Sequence, residues 1–167
     1  MSLISAKSAF ILACITLAET NPKLPPETAQ EVCAAVEFFA EAQGFDPELI
    51  AAIAWVESRF NPAAKSPAGA RGVMQVILGK SWSPDYSESE ILQPWSSVEA
   101  GVMMAVRWRS KKGPDWLECY NSGVSCRNRA YRASVEAAVT NIGNLKRMHV
   151  RANSVRREFP YVCGEGT

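Results

Sequence analysis

The sequence lacks the patterns that mark several classes of protein. Residues 8–18 (SAFILACITLA) are strongly apolar but number only eleven. A helix that spans a bilayer needs about 20 apolar residues, so we predict no transmembrane span. No segment alternates polar and apolar residues between hairpin turns, which disfavours a sheet-based fold. The chain has one histidine, no CxxC pair and no phosphate-cradling glycine pattern. We therefore predict no metal site and no cofactor.

The chain also lacks a large net charge, although its charges are unevenly distributed. Eighteen Lys and Arg residues balance 17 Asp and Glu residues, for a net charge of +1. Residues 1–106 hold 6 basic and 12 acidic residues, whereas residues 107–167 hold 12 and 5. A basic final third suits a polyanion such as nucleic acid or an anionic wall polymer. The simpler interpretation, which we adopt, is a solvated helix face, and we do not predict nucleic-acid binding.

Cysteines are few and their number is odd. The five are Cys14, Cys33, Cys119, Cys126 and Cys163, which argues against a dense disulfide framework. Cys119 and Cys126 bracket a short loop, and an oxidising compartment would let them pair. Otherwise we expect free, partly buried thiols.

Two interpretations fit residues 1–26. The apolar stretch could be the core of a secretory signal that is cleaved after Ala18, but Lys7 is its only basic lead-in. Met1, which a cleaved protein would lack, favours the alternative. We expect residues 1–26 to form a retained apolar helix and a connector.

Apolar periodicity and end signals then predict a mainly α body over residues 27–149, followed by a basic tail over residues 150–167. We expect one domain, because a chain of 167 residues can bury one core. Helices are predicted over residues 27–43, from Pro47 to a break at Pro62, and over residues 73–79, 96–110, 116–120 and 127–149.

One acidic residue stands on an apolar stripe. Ile50, Ile53, Ala54 and Glu57 are spaced i, i+3, i+4 and i+7, so the helix that buries the first three turns Glu57 to the same side. Burial disfavours the charged form of a carboxyl and raises its pKa. Such a group can hold a proton near neutral pH and act as a general acid.

An alternative is that Glu57 turns into solvent or pairs with Arg59 or Arg71. The loop that follows the helix favours the first interpretation. Residues 66–75 (SPAGARGVMQ) are rich in small side chains, which let backbone approach a ligand closely. An acid beside such a loop indicates a cleft.

Several motifs in order resemble the catalytic domain of soluble lytic transglycosylases. They are Glu57-Ser58 followed by FNP, Ser66, Gly69-Ala70, GVMQ at 72–75, LQPWSSVEAGVMMA at 92–105, YNSG at 120–123 and Tyr131. The resemblance covers roughly residues 30–148. Departures occur at Val73, Ile77, Cys119 and Ser122, and these affect the shape of the sugar subsites rather than the acid.

The resemblance implies a lysozyme-like all-α fold that cleaves the β-1,4 bond between N-acetylmuramic acid and N-acetylglucosamine in peptidoglycan. The product is a 1,6-anhydromuramyl end. Glu57 takes the position of the family's one glutamate, which acts as acid and then as base. The resemblance implies substrate contacts at Ser58, Ser66, Met74, Gln75, Tyr120, Asn121 and Tyr131.

Three functions are therefore compared. The leading one is a peptidoglycan lytic transglycosylase that acts in the periplasm or cell envelope, reached by export or as a phage virion component. The second is a muramidase of the same fold, a lysozyme that uses water. The third is a structural wall-docking component of a phage tail or of a secretion or conjugation apparatus.

Overall fold

The computed structural model describes residues 6–80 and 85–158, with side chains described for residues 8–80 and 85–153. The helices are α1 (Ala6–Ala18), α2 (Pro26–Ala42), α3 (Pro47–Ser58), α4 (Glu88–Ile91), α5 (Pro94–Lys112), α6 (Trp116–Ser122) and α7 (Arg129–Glu158). Two short strands, β1 (Ala70–Arg71) and β2 (Val76–Ile77), form the sheet seen in this part of the chain. The prediction of a mainly α chain is confirmed.

Helix α1 is part of the packed body. It lies against α2 and α7, and its buried residues include Phe10 and Leu17. Cys14 forms a disulfide with Cys33 of α2, so our expectation of free thiols is wrong for this pair. No local pattern indicates this bond, since the two cysteines meet only when α1 and α2 pack. Cys163 lies outside the described residues.

Helix α3 begins where its sequence signals predict, but it ends at Ser58, before the predicted break at Pro62. The Asp46 carboxylate accepts a hydrogen bond of 2.9 Å from the Glu48 N–H, and Pro47 occupies the first helical position. The helix ends at Ser58, because Arg59 and Phe60 both adopt positive φ, at 53° and 63°. This ending directs the chain away from the helix axis directly after Glu57.

Residues 73–79 are not helical, which corrects the prediction. β1 and β2 pair antiparallel, with Ala70 opposite Ile77 and Arg71 opposite Val76, and the residues between them form a turn. Gly72 has φ +76° and Gln75 has φ +49°, which is the left-handed region rather than the α-helical one.

The turn of this hairpin packs closely on α5. A Cβ on Gly72 would lie 2.3 Å from the Ile91 carbonyl oxygen and 2.4 Å from the Ser97 Oγ. A Cβ on Gly101 would lie 2.3 Å from the Cβ of Met74. The two glycines therefore allow a close approach that any side chain would block.

Helix α7 is longer than predicted. It runs from Arg129 to Glu158 rather than over residues 127–149, so the first part of the expected tail is helical, and residues 159–167 lie outside the described residues. None of the helices within residues 6–80 and 85–158 combines the length and the apolar character that a membrane crossing requires.

Candidate active site

Glu57 lies in the last turn of α3, at the wall of a cavity. Ile50, Ile53 and Ala54 on the same stripe are fully buried, and Glu57 continues the stripe to the point where the core opens. The helical period therefore places this carboxyl on the side of the core.

The cavity has a volume of about 400 Å³. Its described lining residues are Glu57, Ser66, Ala68, Ala70, Gln75, Ile77, Met104, Trp108, Tyr120, Asn121, Ser122 and Gly123. We call residues 66–77 the hairpin wall, and residues 120–131, at the junction of two helices, the α6–α7 wall. Part of α5 closes the cavity between them.

The Glu57 carboxyl accepts hydrogen bonds from the α6–α7 wall. The Tyr131 hydroxyl donates to Oε1 at 2.7 Å, and the Asn121 side chain bonds the same carboxyl. Burial raises the pKa of Glu57 from its ordinary 4.5 to about 7, although both hydrogen bonds act in the opposite direction. The carboxyl can therefore donate a proton and take one back near neutral pH.

Neither arginine that might have neutralised Glu57 does so. The Arg59 guanidinium lies over the Trp55 ring, 5.4 Å from its centroid. Arg71 donates from Nε to Glu88 at 3.1 Å. Both cations are directed to other groups, which leaves burial as the main influence on the Glu57 pKa.

The hairpin wall contributes Ser66 and Gln75 to the cavity. The Ser66 Oγ accepts from the Ala70 N–H at 3.0 Å, so this serine also closes its own loop. The Gln75 Nε2 donates to the carbonyl oxygens of Ala64 and Gly72, at 3.1 and 2.9 Å. Since both amide hydrogens are used within the chain, Gln75 offers a ligand only its Oε1 acceptor.

Two residues predicted to contact substrate lie elsewhere. The Ser58 hydroxyl donates to the Val73 carbonyl oxygen at 2.7 Å, so Ser58 joins the end of α3 to the hairpin wall. The Met74 side chain is fully buried and packs on Gly101. Neither residue is among those that line the cavity.

Tyr120 and Asn121 both line the cavity from the α6–α7 wall. The Tyr120 hydroxyl donates to the Met74 carbonyl oxygen at 3.0 Å, so Tyr120 presents its ring to the cavity and joins the two walls. The Asn121 Oδ1 accepts from the Asn128 Nδ2 at 2.7 Å. Tyr131 is buried behind them and reaches the cavity through its contact with Glu57.

A disulfide closes the α6–α7 wall. Cys119 and Cys126 are bonded across seven positions of sequence, which corrects our expectation of free thiols and agrees with the alternative stated for an oxidising compartment. The bond encloses Tyr120 and Asn121, and it brings the end of α6 close to the start of α7.

Sequence reasoning missed the apolar contribution of α5. Met104 and Trp108 line the cavity, and neither is among the predicted site residues. The two are four residues apart, which places them on one face of the helix. That spacing was a usable signal, but it does not distinguish a cavity wall from an ordinary core stripe.

Comparisons with known proteins point to one family. The model of the family described as "Transglycosylase SLT domain" matches residues 35–142. The chain is 34% identical over 91 residues to an endo-type membrane-bound lytic murein transglycosylase A from Klebsiella pneumoniae, covering 49% of this chain and 45% of that protein. It is 45% identical over 58 residues to a membrane-bound lytic murein transglycosylase F from Vibrio cholerae, covering 35% and 11%.

The chain thus spans less than half the length of these curated relatives. The family match is broader, because it covers all of α3, the hairpin, α5, α6 and much of α7. It includes Glu57 and both walls of the cavity. From the residues that carry the site and the extent of this match, the chain belongs to the transglycosylase SLT domain family, whose mainly α fold is lysozyme-like.

Proposed function

We propose that this chain is a peptidoglycan lytic transglycosylase. The observation that carries the proposal is a single carboxyl, Glu57, whose pKa burial raises to about 7 at the wall of an open cavity. The names of the relatives, lytic murein transglycosylases, support the same substrate. The substrate is then a glycan strand, which the cavity holds across Glu57.

The reaction needs two proton transfers, and Glu57 performs both. Protonated Glu57 gives its proton to the glycosidic oxygen as the bond from that oxygen to C1 of N-acetylmuramic acid breaks. The 6-hydroxyl oxygen of the same sugar forms a bond to C1, and its proton passes to the Glu57 carboxylate. Water is not consumed, the product is a 1,6-anhydromuramyl end, and the enzyme returns to its starting state.

An intramolecular nucleophile suits a site with one carboxylate. Most glycosidases use two, one as acid and one as nucleophile or base, whereas Glu57 is the only acid among the described residues of the cavity lining. Nearby acids have other partners: Glu88 pairs with Lys65, Glu99 accepts from Tyr86, and Glu118 pairs with Arg132. This arrangement favours the transglycosylase over the muramidase alternative.

The polar groups around Glu57 suit an N-acetylated sugar. The Gln75 Oε1 can accept from an acetamido N–H or a hydroxyl, and the Ser66 hydroxyl can contact a neighbouring polar group. The ring of Tyr120 offers a surface on which a sugar face packs. We assign these residues, with Asn121, to substrate binding.

We further propose that the activity serves local opening of the cell wall by a phage, secretion or conjugation machine, with the site of action in the periplasm or cell envelope. The lysozyme-like fold supports this use, because its cavity presents Glu57 to a glycan strand. The structural wall-docking alternative would retain the fold without need for the proton chemistry of Glu57.

The test is mass spectrometry of the fragments released from purified peptidoglycan by the wild-type protein and by Glu57→Gln. We expect anhydromuramyl ends from the wild type alone. Reducing ends would identify a muramidase, and equal cleavage by both proteins would reject Glu57 as the acid. Absence of fragments from both folded proteins would favour the structural role.

The pH dependence of stability shows whether Glu57→Gln is folded. The folded-state pKa of Glu57, about 7, lies above its ordinary 4.5. The contribution of Glu57 to the unfolding free energy of the wild type is therefore present below pH 4.5 and is lost as the pH rises through 7. Glu57→Gln carries no such ionisation, so we expect it to be at least as stable as the wild type at pH 8, measured by thermal denaturation.

A further inference from the structure

Four residues form a ring at the α6–α7 wall, joined by three hydrogen bonds and by the interaction of Asn121 with Glu57. Tyr131 donates its hydroxyl to Glu57, and its backbone N–H donates to the Asn128 Oδ1 at 3.0 Å. The Asn128 Nδ2 donates to the Asn121 Oδ1 at 2.7 Å. The Asn121 side chain then faces Glu57, lowers its pKa as a donor does, and completes the ring. Asn128 is the one member that touches neither Glu57 nor, among the described residues, the cavity.

The chemistry of the ring determines which way each amide points. A backbone N–H can only donate, so the atom of Asn128 that faces Tyr131 must be the oxygen. The nitrogen of Asn128 then faces Asn121 and requires an acceptor there. The Asn121 oxygen is used in this way, which leaves the Asn121 N–H as the group that meets Glu57.

Asn128 also occupies the position before the first residue of α7, and its contact with Tyr131 is a helix cap. The Asn128 side chain thus caps a helix of 30 residues and also contacts the Asn121 amide, which lines the cavity. The disulfide between Cys119 and Cys126 holds the same two segments together, so the geometry of the ring is supported on both sides.

We propose that Asn128 is a positioning residue that fixes the orientation of Asn121, so that Asn121 presents an N–H donor to Glu57. The inference rests on the proposed function for its meaning in catalysis. An N–H donor favours the carboxylate form of Glu57, the form that must accept the proton in the second half of the reaction. A reversed amide would present an oxygen and favour the protonated form instead.

The other titratable groups that face Glu57 do not change charge near pH 7, so they do not contribute to a change in its pKa. They are Tyr120 from α6 and Tyr131 from α7, and burial holds the pKa of each well above its usual value, so both stay neutral near pH 7. The described lining residues of the hairpin wall and α5 include no titratable side chain. A change in the Glu57 pKa therefore reports on the ring itself.

The decisive variant is Asn128→Asp. Aspartate is as good a helix cap as asparagine, but its carboxylate has no N–H to offer Asn121. We expect Asn121 to turn its N–H towards the new carboxylate and its oxygen towards Glu57. The Glu57 pKa then rises, and the alkaline limb of kcat/KM moves to higher pH, while kcat below this limb falls several-fold.

The new negative charge would also raise the Glu57 pKa, so a matched control is needed. Val124→Asp adds the same charge to the same loop at a residue that is 82% exposed and outside the ring. Coulombic effects at an exposed site are screened by salt, whereas a reversed amide is not. We expect the shift of Asn128→Asp to persist from about 0.05 M to about 0.5 M salt, and that of Val124→Asp to be small and to vanish.

Two readouts separate this inference from the proposed function. An NMR titration of ¹³C-labelled glutamate measures the Glu57 pKa without any substrate, and the pH profile on a soluble glycan fragment measures its effect on turnover. A Glu57 pKa that is unchanged in a folded Asn128→Asp, or a shift that disappears in high salt, would overturn the role of Asn128. A wild type that does not cleave peptidoglycan would overturn the proposed function, while the titration would still decide the role of Asn128.

Discussion

The hairpin wall and the α6–α7 wall face the same carboxyl but are held in place by different interactions. Backbone groups of the hairpin wall are held by hydroxyls from three helices: Ser58 and Tyr120 donate to its carbonyl oxygens, and Ser97 accepts from the Met74 N–H at 3.4 Å. The α6–α7 wall is held by side-chain amides and one disulfide near the surface.

This difference separates stability from catalytic function. Moving the hairpin wall would disturb the buried packing of Gly72 and Met74 on α5, so changes there should cost folding free energy. Moving the α6–α7 wall would disturb the hydrogen bonds to Glu57 while most of the core stays intact. Matched substitutions in the two walls should therefore have different consequences.

The largest contrast should come from two glycines with positive φ. Gly72→Ala places a Cβ 2.3 Å from a backbone carbonyl oxygen, whereas a Cβ on Gly123 meets nothing within 4 Å. We expect Gly123→Ala to cost about 1–3 kcal/mol of backbone strain alone. Gly72→Ala should cost about 4 kcal/mol or more, because overpacking adds to the same strain.

Urea denaturation of both variants measures these losses of unfolding free energy. Similar losses would mean that the hairpin wall can move away from α5 at little cost, and the proposed contrast between the walls would then be wrong.

The two disulfides offer an intermediate contrast. Cys14 and Cys33 are 19 residues apart, and Cys119 and Cys126 are seven apart, so the chain-entropy relation gives about 3 and about 2 kcal/mol for their removal. We expect Cys14→Ala with Cys33→Ala to lower stability and leave turnover unchanged at 25 °C. Removing the second pair should also reduce turnover by about tenfold, because Asn121 loses its fixed position.

Denaturation curves and initial rates, measured on the same protein samples under conditions where both double variants are folded, test this contrast. If both double variants lost stability alone, the disulfide beside the site would have no catalytic role, and the α6–α7 wall would not depend on it.

The sequence predicts features that depend on local spacing and misses those that depend on contacts between distant segments. The position of Glu57 follows from the helical period, because Ile50, Ile53 and Ala54 lie on its own helix. Ser58, although adjacent, is rotated by about 100° around the helix axis and so meets the hairpin wall rather than the cavity. Adjacency to Glu57 in sequence therefore does not predict which residues line the cavity.

The hairpin was predicted as a helix for a similar reason. Gln75 holds a φ of +49°, which is unfavourable for a residue with a side chain. Its Nε2 contacts with Ala64 and Gly72 accompany this conformation, and neither contact can be inferred from local propensity. Asn128 was missed because the last helix was predicted to begin at residue 127, which places Asn128 inside the helix rather than at its cap, and because its contact with Asn121 forms only where α6 and α7 meet.

The smallest contrast we predict comes from the two tyrosine hydroxyls of the α6–α7 wall. Tyr131→Phe removes a donor to Glu57, whereas Tyr120→Phe removes a donor to a carbonyl oxygen of the hairpin wall. The Tyr131 hydrogen bond lowers the Glu57 pKa against the effect of burial, so its loss should raise that pKa and move the alkaline limb of kcat/KM upward from about pH 7.

Tyr120→Phe should instead cost about 1 kcal/mol of stability, because a buried carbonyl loses its hydrogen bond, and should leave the position of the limb unchanged. Rates across pH 5 to 9, together with thermal denaturation, measure both effects in both variants. A shifted limb in Tyr120→Phe, or an unshifted one in Tyr131→Phe, would contradict the division between the walls. The two variants are directly comparable, because each removes one tyrosine hydroxyl near Glu57 and changes nothing else.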